Sequence, residues 1–150
     1  MKILSIDLGR ARTGIAISDV TEFYAHPLCV INERKEDNLA QKIISIAKEN
    51  NVEEIVLGLP KNMDGSLGES AQRAIAFGEK LKELLNIPLV MRDERNTTVM
   101  AHNYLNTTDV RGKKRKAVVD SVAATIILQD YLDFRRNRNE RKDKQCNTIY

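Results

Sequence analysis

The chain has 150 residues, 42% of them hydrophobic and 30% charged, which is ordinary for one globular domain and excludes an intrinsically disordered chain. No apolar run approaches the roughly 18 residues of a membrane span, and an acid as early as Asp7 excludes a secretory signal peptide, so we expect a cytoplasmic protein. Net charge is only +3, but residues 111–150 carry 11 Lys and Arg against 5 Asp and Glu. That imbalance suits a polyanionic partner such as nucleic acid, unless the segment is simply a solvated tail.

Hydrophobic periodicity predicts strands over residues 2–8, 14–19, 28–31, 54–59 and 88–92, of which the first two form a hairpin. Helices are predicted from an N-cap at Asp37 to a stop at Asn50, over 71–85, over 98–105, and from Lys116 to Phe134. Hairpin strands followed by alternating strands and helices indicate an α/β fold with a mixed sheet. We expect one domain over residues 1–134 and a mobile basic tail over 135–150.

Asp7 lies late in the first strand, among apolar residues typical of a strand that is buried on both faces. A carboxylate in such a place is costly unless a cation lies beside it. One interpretation is a metal ligand at the open end of the sheet. The other is a buried salt bridge with Arg12 across the turn.

Two further acids could join Asp7. Glu94 follows the fifth strand, and sites in α/β sheets gather beyond the carboxyl ends of strands, although a lone acid there can also be a surface residue. Asp120 is the one acid in an otherwise apolar stretch of helix next to Ala124, and its alternative partner is Lys116. Three such carboxylates suit Mg²⁺ or Mn²⁺, and two ions of this kind can support phosphodiester cleavage.

Four motifs carry a resemblance to a known family. They are Asp-Leu-Gly-x-x-x-x-Gly at 7–14, Gly-Leu-Pro-x-Asn-x-Asp-Gly-Ser at 58–66, Asp-Glu-Arg-x-Thr-Thr at 93–98, and Lys-x-x-x-Asp-x-x-Ala-Ala-x-x-Ile-Leu at 116–128. Each motif alone is weak, but together, in this order over residues 3–133, they resemble the YqgF/RuvX family.

The resemblance implies an RNase H-like fold, with a five-stranded mixed sheet of order 3-2-1-4-5, an antiparallel second strand, and helices on both faces. It implies a metal-dependent hydrolase that cleaves phosphodiester bonds, with Mg²⁺ or Mn²⁺ as cofactor. The family is named for processing of pre-16S rRNA and was named earlier for resolving Holliday junctions. The catalytic and metal-ligand roles fall on Asp7, Glu94 and Asp120.

The sequence departs in one respect from many proteins of the wider RNase H-like group, which carry an acid at the end of the fourth strand. Here that place reads Gly58-Leu59-Pro60, and the acid moves to Glu94. This arrangement is shared within the family, but Asp93 or Asp64 could replace Glu94 as a ligand.

Basic residues that could hold phosphate lie close in sequence to the three acids; they are Arg10, Arg12, Arg95, Lys113, Lys114, Arg115 and Lys116. Such contacts make nucleic-acid binding strongly dependent on salt. A solvated loop is the alternative for the run at 113–116. The loop over 60–68 is a candidate for contact with substrate, or an ordinary strand–helix connection.

Other functions compete with a nuclease. Actin-like ATPases and sugar kinases open with a similar hairpin, but they contain the fold twice, and 150 residues leave no room for a second copy. A non-catalytic nucleic-acid-binding module of the same fold would lack the three acids. No base-reading motif separates structured RNA from four-way DNA. A junction resolvase would need a dimer, whereas we expect a monomer or a weak homodimer.

Overall fold

The computed structural model describes the backbone of residues 1–93 and 113–147, and the side chains of residues 1–93 and 122–139. The helix predicted over 98–105, together with Glu94 and Arg95, lies outside the described residues. Among the helices that are described, none is long and apolar enough to span a membrane.

Five strands form one sheet in the order β3-β2-β1-β4-β5. Their bounds are β1 (Lys2–Asp7), β2 (Arg12–Ser18), β3 (Ala25–Asn32), β4 (Val52–Leu59) and β5 (Leu89–Asp93). β2 runs antiparallel to both β1 and β3, while β4 runs parallel to β1 and β5 parallel to β4. The predicted order and the antiparallel second strand are confirmed.

Three helices are described: α1 (Glu36–Glu49), α2 (Glu69–Leu84) and α3 (Lys113–Asn147). The prediction of Asp37 as an N-cap is wrong. Lys35 occupies the cap position without a side-chain hydrogen bond, and the Asp37 carboxylate instead contacts Lys80 on α2. The predicted stop at Asn50 is confirmed, because its side-chain amide donates to the Ile46 carbonyl at 2.8 Å.

α3 extends further than predicted at both ends, beginning at Lys113 rather than Lys116 and ending at Asn147 rather than Phe134. The charged segment after Phe134 looked like a tail, but Arg, Lys, Glu and Gln are good helix formers. Its first residue is also anchored, because the Arg135 guanidinium lies 3.3 Å from Glu22 and 3.5 Å from Glu54. The segment from Arg135 to Asn147 is therefore helical.

The sheet separates two apolar cores, and β1 contributes to both because successive side chains point to opposite faces. Leu4 and Ile6 pack with residues of α1 and α2 in one core. Ile3 packs with Ala124, Ile127 and other residues of α3 in the second core. This confirms that β1 is buried on both faces, and it gives the sheet an α1/α2 face and an α3 face.

The parallel strands β1, β4 and β5 end at the same edge of the sheet, which we call the C-terminal edge. β1 turns sharply there into β2. A Cβ at Gly9 would lie 2.0 Å from the Arg12 carbonyl oxygen, so only glycine allows this turn. The turn brings Arg10 and Arg12 to the edge at which β1 ends.

Candidate active site

Asp7 belongs to a row of five residues, one on each strand, which we call the Asp7 row. Asp7 pairs with Gly14, Gly14 with Val30, and Gly58 with Arg92. Gly58 lies beside Asp7, one step beyond the last paired residues of β1 and β4. From β3 to β5 the row reads Val30, Gly14, Asp7, Gly58 and Arg92, so the acid has a glycine on each side.

The Asp7 row belongs to the α3 face of the sheet. Two residues earlier in β1, the buried Ser5 hydroxyl donates to the Ala124 carbonyl of α3 at 2.6 Å. Val56, two residues before Gly58, packs in the α3 core. Arg92 contacts α3 directly, with Nη2 at 2.5 Å from Asp130 and its guanidinium 4.8 Å from the centre of the Phe134 ring. Because alternate residues of a strand share a face, Asp7 faces α3 as well.

The direction of α3 over this face follows from two hydrogen bonds. Ala124 meets Ser5 near the middle of β1. Further along α3, the Tyr131 hydroxyl donates to Glu54 at 2.5 Å, and Glu54 pairs with Ile3 nearer the start of β1. α3 therefore runs antiparallel to β1, and its earlier residues lie towards the C-terminal edge.

Position 120 of α3 and Asp7 approach each other at this edge. Position 120 is one helical turn, about 6 Å, before Ala124. Asp7 is two strand residues, about 6.6 Å, beyond Ser5 in the same direction. These two steps match, so the backbone of α3 passes over the end of β1 near Asp120; the Asp120 side chain lies outside the described residues.

Asp93 is the last residue of β5, and the alternation of side chains along the strand shows which face of the sheet it lies on. Leu89 and Met91 pack in the α1/α2 core, whereas Arg92 contacts α3. Alternation therefore assigns Asp93 to the α1/α2 face, opposite to Asp7. This speaks against Asp93 as the replacement ligand. Glu94 is the next residue of the chain, outside the described residues.

The loop over 60–68 starts at the C-terminal edge and is held by its own side chains. Asp64 accepts from the Ser66 amide at 2.9 Å and from the Ser66 hydroxyl at 2.6 Å, and Asn62 donates to that hydroxyl at 2.9 Å. Gly65 has a φ of 87°, a left-handed conformation that favours glycine. The Asp64 carboxylate thus orders its own loop, which weakens the case for it as a metal ligand.

The predicted phosphate-binding residues have different surroundings. Arg10 lies 3.8 Å from Glu69 at the start of α2, and both side chains are largely exposed, so this pair can open to another anion. Arg12 shares its strand face with Gly14 and so lies on the side of Asp7. The run 113–116 forms the first turn of α3, with side chains outside the described part.

No group of three His, Cys, Asp or Glu side chains that could hold a metal occurs among the described side chains, residues 1–93 and 122–139. Of the three predicted ligands only Asp7 falls in this set. Its surroundings suit a cation, because a carboxylate is a hard oxygen donor and the positions on both sides of it carry no side chain.

Residues 1–134 match the family model described as "RuvX: Holliday junction resolvase". The chain belongs to the RuvX family. A relative from Caldanaerobacter subterraneus subsp. tengcongensis, named "Putative pre-16S rRNA nuclease", is 45% identical over 138 residues, which cover 91% of this chain and 99% of the relative. Family membership identifies the RuvX chain as a nuclease, a hydrolase of phosphodiester bonds, as the sequence predicted.

Solved structures support the fold. Thermus thermophilus RuvC superposes with a TM-score of 0.56 at 11% identity, over 91% of this chain and 97% of that one. Fowlpox virus resolvase, in a complex with Holliday junction DNA, superposes with a TM-score of 0.54 at 15% identity, over 89% and 97%. These likenesses confirm the RNase H-like fold of the RuvX chain.

Sequence reasoning predicted Asp7 as a site residue, but it named Gly14 and Gly58 only as motif positions and not as neighbours of Asp7. Gly14 and Gly58 each lie inside a strand, and an isolated glycine in a strand often marks a close approach of a ligand or another backbone. That signal was present in the sequence. The contact between Ser5 and Ala124 had no such signal, because it joins residues 119 positions apart.

Proposed function

We propose that this RuvX nuclease is a metal-dependent enzyme that cleaves pre-16S rRNA during processing of its 5′ end. The observation that carries the proposal is the Asp7 row, with an acid between two glycines at the C-terminal edge and the Asp120 turn of α3 above it. Sites of α/β proteins gather at this kind of edge. The name of the 45% identical relative supports pre-16S rRNA as the substrate.

Asp7, Asp120 and Glu94 are the residues that would hold the metal, Mg²⁺ or Mn²⁺. When bound, such ions activate a water molecule and neutralise charge on the leaving oxygen of a phosphodiester. Carboxylates on two strand ends and one helix come from elements far apart in sequence, so the folded sheet has to form before the ligands can meet. Because two apolar cores hold the fold, the loss of one acid should abolish activity without unfolding the protein.

The basic residues near this edge would hold the phosphate backbone. The first turn of α3 contains four cations, Lys113 to Lys116, and no acid. Cations at a helix N-terminus are unfavourable because that end of the helix is already positive, and the same feature attracts phosphate. Arg10, Arg12 and Arg95 add positive charge from the β1–β2 turn and from the chain after β5.

Four-way DNA is the second candidate substrate. The family description names a Holliday junction resolvase, and the solved structures that share the fold include Thermus thermophilus RuvC in complex with a Holliday junction substrate. Cutting two strands of one junction requires two active sites, and hence a dimer. A monomer or weak homodimer, which we expect from the sequence, favours RNA.

The test is cleavage of a pre-16S rRNA 5′ leader and of a four-way DNA junction in Mg²⁺ or Mn²⁺. Asp7→Asn and Asp120→Asn should each lose at least about 100-fold in rate, since even outer-shell partners of a metal cost about 10–100-fold. Asp133→Asn is the matched control, because it removes an exposed carboxylate from the same helix. Wild-type rates in the Asp7 and Asp120 variants would refute the proposal. Tight binding with no cleavage by the wild type would indicate a non-catalytic module.

A further inference from the structure

We propose that Gly14 and Gly58 form the floor of the metal and phosphate site, and that the space left by their missing side chains gives Asp7 access to the ion. The inference rests on the proposed function and adds two residues that determine what fits beside Asp7. Gly14 on β2 and Gly58 on β4 are the two lateral neighbours of Asp7 in its row.

The spacing of a sheet shows how close a side chain at either position would be. Neighbouring strands lie about 4.8 Å apart, and Cβ atoms of directly opposed residues about 4.5–5.5 Å apart. A Cβ at position 14 or 58 would therefore stand directly beside the Asp7 side chain, on the same face. Mg²⁺ usually keeps several of its waters when it binds a carboxylate, so the hydrated ion needs this lateral space.

Backbone geometry does not account for the two glycines. Among the described residues, Gly65 is the glycine with a positive φ, so neither Gly14 nor Gly58 needs glycine for its conformation. Both lie inside paired strands, where glycine costs about 0.5–1 kcal/mol relative to alanine. A destabilising residue on both sides of one acid points to a need for space at that acid.

Two other glycines among the described residues have a packing reason. A Cβ at Gly9 would meet the Arg12 carbonyl oxygen at 2.0 Å, and a Cβ at Gly78 of α2 would meet Leu57 Cδ2 at 3.2 Å. These two positions belong to a turn and to a helix that lies close against the sheet. Gly14 and Gly58 share a different feature, because both lie in the row of Asp7.

The position of Gly58 between Asp7 and β5 also matters for the site. β4 lies between β1, which carries Asp7, and β5, which ends at Asp93. The proposed ligand Glu94 follows β5 in the sequence, and Gly58 is the β4 residue of the Asp7 row. A side chain at position 58 would stand between Asp7 and β5, whereas one at position 14 would stand on the side of Asp7 towards β3. We therefore expect Gly58 to be the more sensitive of the two glycines.

The experiment measures Mn²⁺ affinity by electron paramagnetic resonance of the free ion, for Gly14→Ala, Gly58→Ala and Gly58→Val. Each variant should bind Mn²⁺ at least about 10-fold more weakly than the wild type, the range seen when the surroundings of a metal are altered. Val30→Ile is the matched control, because it adds a carbon in the same row two strands from Asp7. Urea unfolding without metal should show that the alanine variants are at least as stable as the wild type.

Wild-type Mn²⁺ affinity in both Gly14→Ala and Gly58→Ala would overturn this inference alone, provided that Asp7→Asn abolishes binding. Equal weakening by Val30→Ile would also overturn it, because the effect would then not depend on the neighbours of Asp7. A wild-type protein whose Mn²⁺ binding is absent or independent of Asp7 would overturn the proposed metal site, and this inference with it.

Discussion

Replacing Tyr131 with phenylalanine removes one oxygen atom from a buried contact between α3 and β4. The Tyr131 hydroxyl donates to Glu54 Oε1 at 2.5 Å, and the two residues are only 7% and 9% exposed. The Arg135 guanidinium lies 3.5 Å from the other oxygen of Glu54. This contact fastens α3 at the sheet edge opposite to Asp7.

The structure sets the expected loss of stability. A hydrogen bond to a charged group contributes about 1.5–3 kcal/mol. Burial, and then the bond to Glu54, raises the pKa of Tyr131 from 10.0 to about 12. That difference corresponds to about 3 kcal/mol in favour of the protonated hydroxyl in the folded protein. We expect Tyr131→Phe to lower the free energy of unfolding by about 1.5–3 kcal/mol at neutral pH.

The same pKa predicts a pH dependence. Because the folded pKa lies above the unfolded value, the stabilisation is complete below pH 10 and is lost as the pH rises from about 10 to about 12. Urea unfolding of the wild type and Tyr131→Phe from pH 7 to pH 12 measures it, and their difference should shrink over that interval. Lysine titration affects both proteins and cancels in the difference.

Tyr24→Phe is the matched control, because Tyr24 is 65% exposed and its replacement should change stability by less than about 0.5 kcal/mol. A cost for Tyr131→Phe no larger than that for Tyr24→Phe would refute the stabilising role of the buried hydroxyl. A constant difference between the wild type and Tyr131→Phe from pH 10 to pH 12 would refute the raised pKa.

Three further predictions concern the active-site edge. Gly9→Ala should disrupt the β1–β2 turn, because its Cβ would lie 2.0 Å from the Arg12 carbonyl oxygen; a cleavage rate and urea midpoint equal to wild type would contradict this. Ser5→Ala should cost about 1 kcal/mol in urea unfolding and lower kcat more than it raises KM, since the 2.6 Å bond to Ala124 aligns β1 with α3. Replacing all four residues at 113–116 with glutamine should make RNA binding less dependent on salt. The slope of log Kobs against the logarithm of the salt concentration should fall in magnitude by about 0.7 for each phosphate that these cations neutralise in the wild type. An unchanged slope would exclude this turn from the interface.

Much of the fold could be predicted because its signals are local. The apolar run of β1, the hairpin and the alternation of strands and helices are confirmed at nearly the expected positions. The errors arose where a distant partner decides the outcome. Asp37 fits a cap by sequence, but Lys80 of α2 takes its carboxylate, and Arg135 looks like a tail residue until Glu22 and Glu54 are in place beside it.

In the candidate active site, too, local signals could be read from the sequence and long-range contacts could not. Asp7 stands out in the sequence because an acid inside an apolar strand is costly. Gly14 and Gly58 also stand out as isolated glycines in strands, but their place beside Asp7 does not, because strand register is a long-range property and Gly58 comes from a strand beyond α1. The catalytic and metal-binding roles of Asp7, Asp120 and Glu94 are predictions from the sequence, and the side chains of Asp120 and Glu94 lie outside the described residues.

The most direct test of the metal site is the position of Mn²⁺ located by anomalous scattering in crystals of the wild type and Asp7→Asn. We expect a peak within coordination distance of an Asp7 carboxylate oxygen, over Gly14 or Gly58 on the α3 face, and no peak there in Asp7→Asn. A wild-type crystal that binds Mn²⁺ only elsewhere on the protein, or a peak that persists at this place in Asp7→Asn, would contradict the proposed site.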